Sequence, residues 1–230
     1  NLALHGNIGW NVFKNSNISL FGRSDIHKQT RRNNTYKLNL EQKFNKFNLG
    51  FSYMNGLRNP TLYEMFGTDN FGYSGNKNLK PEKSNTYEIY SNLVLSNNAN
   101  FSIRAFKSNI KNNIEYINNK YQNDTDEVDL NQSGISNNLN IKLKDAKLNL
   151  FSSFLSSKKE NGSDQLRRPE KNYGINFSKI IGNSLFGDLN INLNYNHYGK
   201  HFDTHSTNFS TIEMDSTDIV DLKISKKFNN

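Results

Sequence analysis

Four aromatic side chains lie within one long polar segment, between Gly56 and Lys83, and could bind an apolar, planar ligand. They are Tyr63, Phe66, Phe71 and Tyr73. A segment without regular structure has little to bury such rings against except another loop or a ligand. Arg58 and Lys80 flank the rings and could pair with anionic groups of that ligand. The segment therefore predicts a binding site for a small molecule.

Two groups of side chains could bind a metal ion, but neither has the spacing of an established site. The acidic group consists of Asp124, Asp126 and Asp129. Their carboxylates suit Ca²⁺, yet the segment lacks the spacing and the glycine of an EF-hand loop, and a solvated acidic loop is the simpler interpretation. The second group consists of His197, His201 and His205. These histidines would align on a helix, whereas the surrounding pattern indicates a strand and then a loop. We expect no metal site.

Catalysis and nucleic-acid binding find no support in the sequence. The chain has no cysteine, which excludes thiol nucleophiles and zinc–thiolate sites. No Ser-His-Asp order, pair of catalytic carboxylates, phosphate-binding loop or dinucleotide-binding motif occurs in a coherent context. The net charge of +8 is scattered through the chain and accompanies no nucleic-acid-binding module. We expect no enzyme activity, no cofactor and no nucleic-acid partner.

The elements that must position the aromatic segment are predicted to be β-strands, because apolar residues recur at every second position. In the first segment the apolar residues share one parity, namely Leu2, Leu4, Ile8, Trp10 and Val12, and the same pattern returns in Leu189, Ile191 and Leu193. Such alternation predicts half-buried strands, and about eleven of them, each of roughly ten residues, follow along the chain. That length is what a tilted strand needs to cross a bilayer. We expect the apolar parity to face lipid.

Short and long connections alternate strictly along the chain. The short ones are residues 14–17, 45–46, 96–100, 144–145 and 182–184, and the long ones are residues 27–34, 56–83, 109–128, 156–168 and 199–211. A soluble β-sandwich has no reason to alternate loop length, whereas an outer-membrane barrel has tight periplasmic turns and long extracellular loops. The pattern favours an all-β, antiparallel, up-and-down transmembrane barrel. A soluble β-sandwich or β-solenoid remains the alternative.

An odd number of strands cannot close a barrel of this kind, because an open edge would leave unpaired backbone groups in lipid. We therefore expect the chain to be a fragment, with further strands beyond both termini.

Three sequence elements resemble the signatures of TonB-dependent outer-membrane receptors. The first is Gly56-Leu57-Arg58-Asn59-Pro60-Thr61-Leu62, and the second is Asn76-Lys77-Asn78-Leu79-Lys80-Pro81-Glu82 before a strand that contains Tyr87-Glu88. The third is Leu166-Arg167-Arg168-Pro169. Leu57, Asn59 and Lys77 depart mildly from the family pattern.

The resemblance implies that residues 1–230 are part of a barrel of about 22 strands whose plug domain is not included. It implies energy-dependent uptake of cobalamin or a ferric siderophore, with a weak preference for cobalamin, through the TonB–ExbB–ExbD complex acting on the plug. A passive porin-like channel in the same membrane is the alternative function, and it should lack these elements.

The motif residues are expected to be structural, apart from Arg58, which could serve both roles. They are Arg58, Pro60, Leu79, Pro81, Glu82, Glu88, Arg168 and Pro169. The prolines break strand pairing and therefore belong at the rim. Arg58, Glu64, Glu82 and Glu88 could form a charged rim network that anchors the long loop. Basic outer loops around residues 27–32, 158–159 and 167–168 could meet lipopolysaccharide phosphates or an anionic chelate.

Overall fold

In a computed structural model of the chain, the described residues are 2–27, 31–70, 72–117, 120–123, 130–159, 161–182, 187–205, 207 and 210–227. Phe71, Asp124, Asp126 and Asp129 lie outside them.

Eleven strands form one antiparallel sheet: β1 (Leu2–Phe13), β2 (Ser16–His27), β3 (Arg31–Lys43), β4 (Phe47–Arg58), β5 (Glu82–Ser96), β6 (Ala99–Lys111), β9 (Leu130–Lys142), β10 (Ala146–Lys159), β11 (Lys171–Ile181), β12 (Asp188–Tyr198) and β15 (Thr217–Lys227). The prediction of an antiparallel, partial barrel with about eleven strands is confirmed.

Two hairpins and one short helix lie outside this sheet. The hairpins are β7 (Ile114–Ile117) with β8 (Lys120–Asn123) and β13 (His201–Thr204) with β14 (Thr211–Met214), and the helix is α1 (Leu62–Phe66). The helix and the first hairpin fall within connections that were expected to be long, and the second hairpin begins in one and extends three residues beyond it, to Met214. One such expectation is wrong: β2 runs to His27 and β3 begins at Arg31, so the connection of residues 27–34 is mostly strand. The described part of the chain contains no helix long and apolar enough to cross a membrane.

One face of the sheet is a continuous apolar surface. Directly opposed residues on neighbouring strands lie on the same face. One such row consists of Phe47, Leu93, Phe101, Leu139, Leu150, Ile175, Tyr195 and Val220. A second row begins with Ile8, Leu20 and Leu38. The apolar parity therefore forms a single face, and its large side chains remain exposed, with Leu4 at 72% and Ile8 at 55%.

The opposite face is polar and carries a ladder of asparagines. Asn100, Asn140, Asn149, Asn176 and Asn194 lie opposite one another on five successive strands. The Nδ2 of Asn149 donates to the Oδ1 of Asn140 at 2.9 Å, and the Nδ2 of Asn176 donates to the Oδ1 of Asn149 at 3.0 Å. An asparagine amide can donate and accept hydrogen bonds at the same time and carries no charge. The ladder therefore makes this face polar without adding net charge.

The polar face is the concave one. The Tyr90 hydroxyl on β5 lies 3.1 Å from both Asn39 Oδ1 and Glu41 Oε2 on β3, either of which can accept its single proton, and so it spans the intervening strand β4. Three shallow cavities open on this face, each lined by side chains of four or more strands. The curved sheet therefore has a polar inner wall and an apolar outer surface, as a membrane barrel with an aqueous or plugged interior requires.

Candidate functional site

The described part of the connection between β4 and β5, residues 59–70 and 72–81, begins with a capped helix. Thr61 and Glu64 form a capping box, in which the Glu64 backbone N–H donates to Thr61 Oγ1 at 3.1 Å and the Thr61 N–H donates to Glu64 Oε2 at 2.6 Å. This reciprocal arrangement satisfies two N–H groups that a helix start leaves unpaired. Helix α1 ends where the Gly67 N–H donates to the Tyr63 carbonyl at 2.8 Å. The short helix fixes the direction in which its aromatic side chains point.

Arg58 ties the two ends of this loop together at the rim. Its guanidinium donates from Nε and Nη2 to the two oxygens of Glu82, at 2.6 and 2.8 Å, and from Nη1 to Glu64 Oε1 at 3.1 Å. Glu82 Oε1 also accepts from the backbone N–H of Ile114 at 2.8 Å, which adds the next outer loop to the network. A bidentate arginine–carboxylate pair is the geometrically specific form of such a contact. The predicted association of Arg58, Glu64 and Glu82 is thus present.

Glu88 does not belong to this network, and the prediction that placed it there is wrong. It lies on the inner wall, where Ser52 Oγ donates to its Oε1 at 3.4 Å and Arg104 pairs with its Oε2 at 3.4 Å. Glu88 and Glu82 share the inward parity of β5, but they are six residues apart on the strand. Such a separation is about 20 Å, which is too far for both carboxylates to reach Arg58.

Glu64 is held in its charged form by these contacts. Burial by itself would raise the pKa of this carboxyl, since it is only 8% exposed. The Thr61 backbone N–H and the Arg58 guanidinium outweigh that effect, so the pKa of Glu64 is lowered from its usual value. The charged network is therefore complete at neutral pH.

A second anchor joins residues 59–81 to the β7–β8 hairpin. Met65, Leu79 and Ile114 form a small buried core, against which Tyr121 packs. The Lys80 backbone N–H donates to Asn123 Oδ1 at 2.7 Å, and Asn123 Nδ2 donates back to the Lys80 carbonyl at 2.9 Å. Two neighbouring outer loops thereby become one unit. Leu79 is buried, as expected for a structural motif residue, while the Lys80 side chain remains exposed.

The aromatic residues of this unit divide into an interior and a surface group. Tyr73 is only 3% exposed, stacks on Tyr63 with ring centroids 4.9 Å apart, and donates its hydroxyl to the Tyr63 carbonyl at 2.6 Å. Burial raises the pKa of the Tyr73 phenol. Tyr116 and Tyr121 pack against the same ring, at 5.9 and 5.7 Å. Tyr73 is therefore a support for the loop and presents no free face in this conformation.

The surface group forms an exposed apolar patch, which we call the aromatic patch. It consists of Leu62 (71% exposed), Tyr63 (55%), Phe66 (44%) and Tyr116 (51%). Leu62, Tyr63 and Phe66 are neighbours on α1 because residues three and four apart share a helix face. The Lys77 ammonium lies 5.7 Å from the centre of the Phe66 ring. An aromatic surface bordered by cationic groups can bind a flat, anionic ligand.

Sequence reasoning found part of this patch and missed the rest. Of the predicted ligand contacts, Tyr63 and Phe66 belong to the patch, while Arg58 and Lys80 lie outside it on the same loop unit. Tyr73 was also predicted to contact the ligand, but it is buried. Phe71 lies outside the described residues. Leu62 and Tyr116 were not expected. Tyr116 lies in residues 109–128, which had been predicted only as one of the long connections. Ile114 and Tyr116 alternate with polar residues there, but the strand is only four residues long, which is too short for a clear periodic signal.

The remaining motif residues lie at strand ends. Pro60 follows β4 and Pro81 precedes β5, so both prolines lie at the rim outside the strand ladder, as predicted. Pro169 precedes β11, and the Nε of its neighbour Arg168 donates to Gln165 Oε1 at 3.3 Å. These residues shape loop entry and take no part in the aromatic patch.

The basic loop residues near positions 158 and 167 are engaged within the protein. Lys158 pairs with Asp164 at 3.4 Å, Lys159 pairs with Glu115 at 2.5 Å, and Arg167 pairs with Asp203 at 2.7 Å. Because of its pairing with Arg167, the pKa of Asp203 is lowered. The Lys158 pair lies within one loop, whereas the Lys159 and Arg167 pairs connect neighbouring loops.

The candidate metal residues form no site within the described ranges, where no group of three histidine or acidic side chains could hold an ion. His197 lies on β12 and its Nδ1 is 2.8 Å from Asp218 Oδ1, whereas His201 begins β13. The three histidines thus belong to a strand, a hairpin and a loop, in agreement with the predicted strand-then-loop pattern.

Residues 3–230 match the family model described as TonB dependent receptor-like, beta-barrel. Solved structures share the fold at low sequence identity. The siderophore receptor PirA from Acinetobacter baumannii has a TM-score of 0.78 and 16% identity, covering 99% of this chain and 39% of that one. The ferric enterobactin receptor PfeA (G324V mutant) from Pseudomonas aeruginosa has a TM-score of 0.75 and 16% identity, covering 99% and 37%. The ferric yersiniabactin uptake receptor FyuA from Yersinia pestis has a TM-score of 0.70 and 13% identity, covering 99% and 38%. The chain spans less than half the length of these receptors.

Proposed function

The chain belongs to the family of TonB-dependent receptor β-barrels, and on that premise we propose that it is part of an outer-membrane receptor that imports a ferric siderophore. Barrels of this family are outer-membrane proteins, and the family is one of receptors and transporters. The apolar convex surface supports a position in the membrane, and the polar concave wall supports an interior that is filled by water or by a plug domain.

The observation that carries the proposal is the aromatic patch on a rigid loop unit. A loop of this length is usually either functional or disordered. The described residues of 59–81 are held by a capping box, a bidentate Arg58–Glu82 pair and a small shared core, which favours function. The exposed apolar side chains of this ordered loop are in contact with water. A ligand that covers them removes this apolar surface from water, which makes the free energy of binding more favourable. We therefore assign substrate capture to Tyr63, Phe66 and Tyr116, with Leu62 at the edge.

The chemistry of the patch favours a flat or aromatic chelate with negative charge. Lys77 lies over Phe66, and the exposed Lys80 side chain is on the same loop. The Arg58 side chain pairs with Glu64 and Glu82 but keeps 43% of its surface exposed to solvent. Ferric catecholates combine aromatic rings with net negative charge. The structural neighbours named above are described as a siderophore receptor, a ferric enterobactin receptor and a ferric yersiniabactin uptake receptor, and this favours a ferric siderophore over cobalamin.

Transport in this proposal is driven through the plug domain and the TonB–ExbB–ExbD complex. In this proposal the plug domain contacts the concave wall with its asparagine ladder. The neutral amides can form hydrogen bonds with polar groups of the plug without adding ion pairs that would bind it more strongly. A passive porin-like channel needs neither a plug nor an ordered capture loop. The built loop is therefore the feature that favours a receptor.

Equilibrium binding to the full-length receptor tests the proposal. The probes are ferric enterobactin, ferripyoverdine and cyanocobalamin, and the variant combines Tyr63→Ala with Phe66→Ala. We expect the affinity for the bound siderophore to fall about tenfold or more, because two ring contacts are lost. Tyr173→Ala with Tyr195→Ala is the matched control, since it removes two rings from the convex surface. Unchanged siderophore affinity in the patch variant, or preferential binding of cyanocobalamin by the parent, would contradict the assignment.

A further inference from the structure

Two lysines face each other on the concave wall, at the end of the strands opposite to the aromatic patch. Lys142, the last residue of β9, is directly opposed to Lys147, the second residue of β10. Both have the inward parity of Asn140 and Asn149, the neighbouring pair of the asparagine ladder. A short turn, residues 143–145, joins the two strands, which makes this the periplasmic end of the proposed barrel. Two positive charges therefore meet where the wall ends.

No ion pair in the described part of the chain compensates these two charges. Both side chains are exposed. The turn between them adds one charge of each sign, Lys144 and Asp145. The inward Asp221 lies on β15, which is three strands and about 14 Å away from β10. Directly opposed like charges destabilise a strand pair, and an anion between the two ammonium groups removes this repulsion.

The two lysines border a shallow cavity in the concave wall. Its volume is about 420 Å³, which falls within the range of small-molecule sites. The other inward side chains that line it are six asparagines and Ser178, all of them neutral. Asn176 donates to Asn149 at 3.0 Å, and such contacts order the lining before a ligand binds. A cavity that combines two ammonium groups with amides, and that holds no carboxylate, is complementary to an anion with several oxygen atoms.

We propose that Lys142 and Lys147 form an anion site that the ferric siderophore occupies as it leaves the barrel. The inference rests on the proposed function, which gives the substrate its negative charge and its direction of movement. The lysines bind anionic oxygens of the chelate, and the asparagine amides form hydrogen bonds around it. The aromatic patch takes no part in this site, because it belongs to the loops at the opposite end of the strands.

Lysine suits a site that must release its ligand. An arginine makes fixed, bidentate contacts, as Arg58 does with Glu82 at 2.6 and 2.8 Å. A lysine ammonium is a flexible point charge that accepts many orientations of a ligand, and its exposed contacts are weak. The pair therefore raises the local concentration of the anionic chelate at the exit without retaining it.

A carboxylate of the plug domain would present the same chemistry to these lysines, and barrel stability separates the two sources. If the lysines anchored the plug, their neutralisation would remove a favourable contact and lower the stability. If they bind the chelate only in transit, neutralisation removes the repulsion between them and leaves the stability equal or higher.

The test uses the full-length receptor and measures uptake, binding and stability together. The variant combines Lys142→Gln with Lys147→Gln. The matched control combines Lys14→Gln with Lys46→Gln, which lie in two other short connections, β1–β2 and β3–β4. Lys142→Arg with Lys147→Arg keeps the charge at the site. The readouts are the maximal rate of radioiron uptake from ferric enterobactin and from ferripyoverdine, the affinity of the purified receptor for both, and urea-induced unfolding in lipid vesicles.

We expect the glutamine variant to lower the maximal uptake rate about fivefold, while its affinity at the outer loops stays within about twofold of the parent. The arginine variant and the control should stay within about twofold of the parent in uptake and in affinity. An unchanged uptake rate in the glutamine variant would overturn the inference, as would an equal loss in the control or in the arginine variant. A lower unfolding midpoint of the glutamine variant would overturn it in favour of a plug anchor. A parent that takes up neither siderophore in a TonB-dependent way would overturn the proposed function instead.

Discussion

The ring of Tyr90 lies flat against Gly50 on the neighbouring strand, so that a Cβ atom added at Gly50 would stand 2.1 Å from Tyr90 Cζ. The two residues are directly opposed in the register of β4 and β5. Phe151 covers Gly174 in the same way, with 2.5 Å from the added Cβ to the ring. Each glycine lets an inward aromatic ring lie along the wall instead of projecting into the interior. The Tyr90 hydroxyl thereby reaches β3 across β4.

Replacing Gly50 with alanine should destabilise the barrel by about 1 to 3 kcal/mol, because the ring must leave its position. The measurement is urea-induced unfolding of the full-length receptor in lipid vesicles. Gly22→Ala is the matched control, since a Cβ at Gly22 meets nothing within 4 Å. If both variants unfold at the same urea concentration, Tyr90 does not depend on the glycine.

Arg58→Lys should loosen the loop although it keeps the charge, because an ammonium cannot make the bidentate contact with Glu82. Hydrogen exchange should accelerate in residues 62–66 and at Ile114, whose N–H donates to Glu82. Arg104→Lys is the control, since Arg104 makes a single 3.4 Å ion pair with Glu88 on the inner wall. Equal exchange in the parent and in Arg58→Lys would show that the network does not order the loop.

Loop order should depend on pH through Glu64. Its pKa is lowered from the ordinary value of 4.5. The stabilisation that it provides is therefore complete above pH 4.5 and is lost as the pH falls through the lowered value. We expect hydrogen-exchange protection of α1 to remain constant from neutral pH to about that point, after correction for intrinsic rates, and to decline below it. Glu64→Gln should weaken protection at neutral pH and remove the decline. A decline that persists in Glu64→Gln would assign the effect to another group.

Charge should be tolerated on only one face of the strands. Ile103→Arg introduces a cation on the convex surface near the middle of β6 and should cost about 2 to 4 kcal/mol in a bilayer. Ser102, the site of the second variant, Ser102→Arg, has the opposite parity and lies on the polar wall, opposite Asn92 and Asn138. We expect this second variant to stay near the parent in the same vesicle unfolding assay. Similar losses in both variants would contradict the assignment of the convex face to lipid.

The period-two pattern predicted the sheet well because strand parity is a local property of the sequence. Alternation of Leu2, Leu4 and Ile8 was enough to assign a face, and the observed register carries that face across the sheet. The rim position of Pro60 and Pro81 also follows from local chemistry, since proline cannot donate to the strand ladder.

The parts that could not be predicted depend on contacts between distant segments. Tyr63 and Tyr73 look equivalent in sequence, yet Tyr73 is buried because Tyr116 and Tyr121 of the next loop close over it. The β7–β8 and β13–β14 hairpins are four residues per strand, which is too short for a clear periodic signal. Glu88 was grouped with Glu82 by charge type, whereas position along β5 decides which partner each reaches.

The most direct measurement of the central claim is accumulation of radioiron-labelled ferric enterobactin or ferripyoverdine by cells that produce the full-length receptor as their only siderophore receptor. The same cells with an inactivated TonB provide the comparison. The account predicts iron accumulation in cells with functional TonB, near-background uptake without it, and a marked reduction when Tyr63 and Phe66 are both alanine. Equal entry with and without TonB would contradict it and would identify a passive channel.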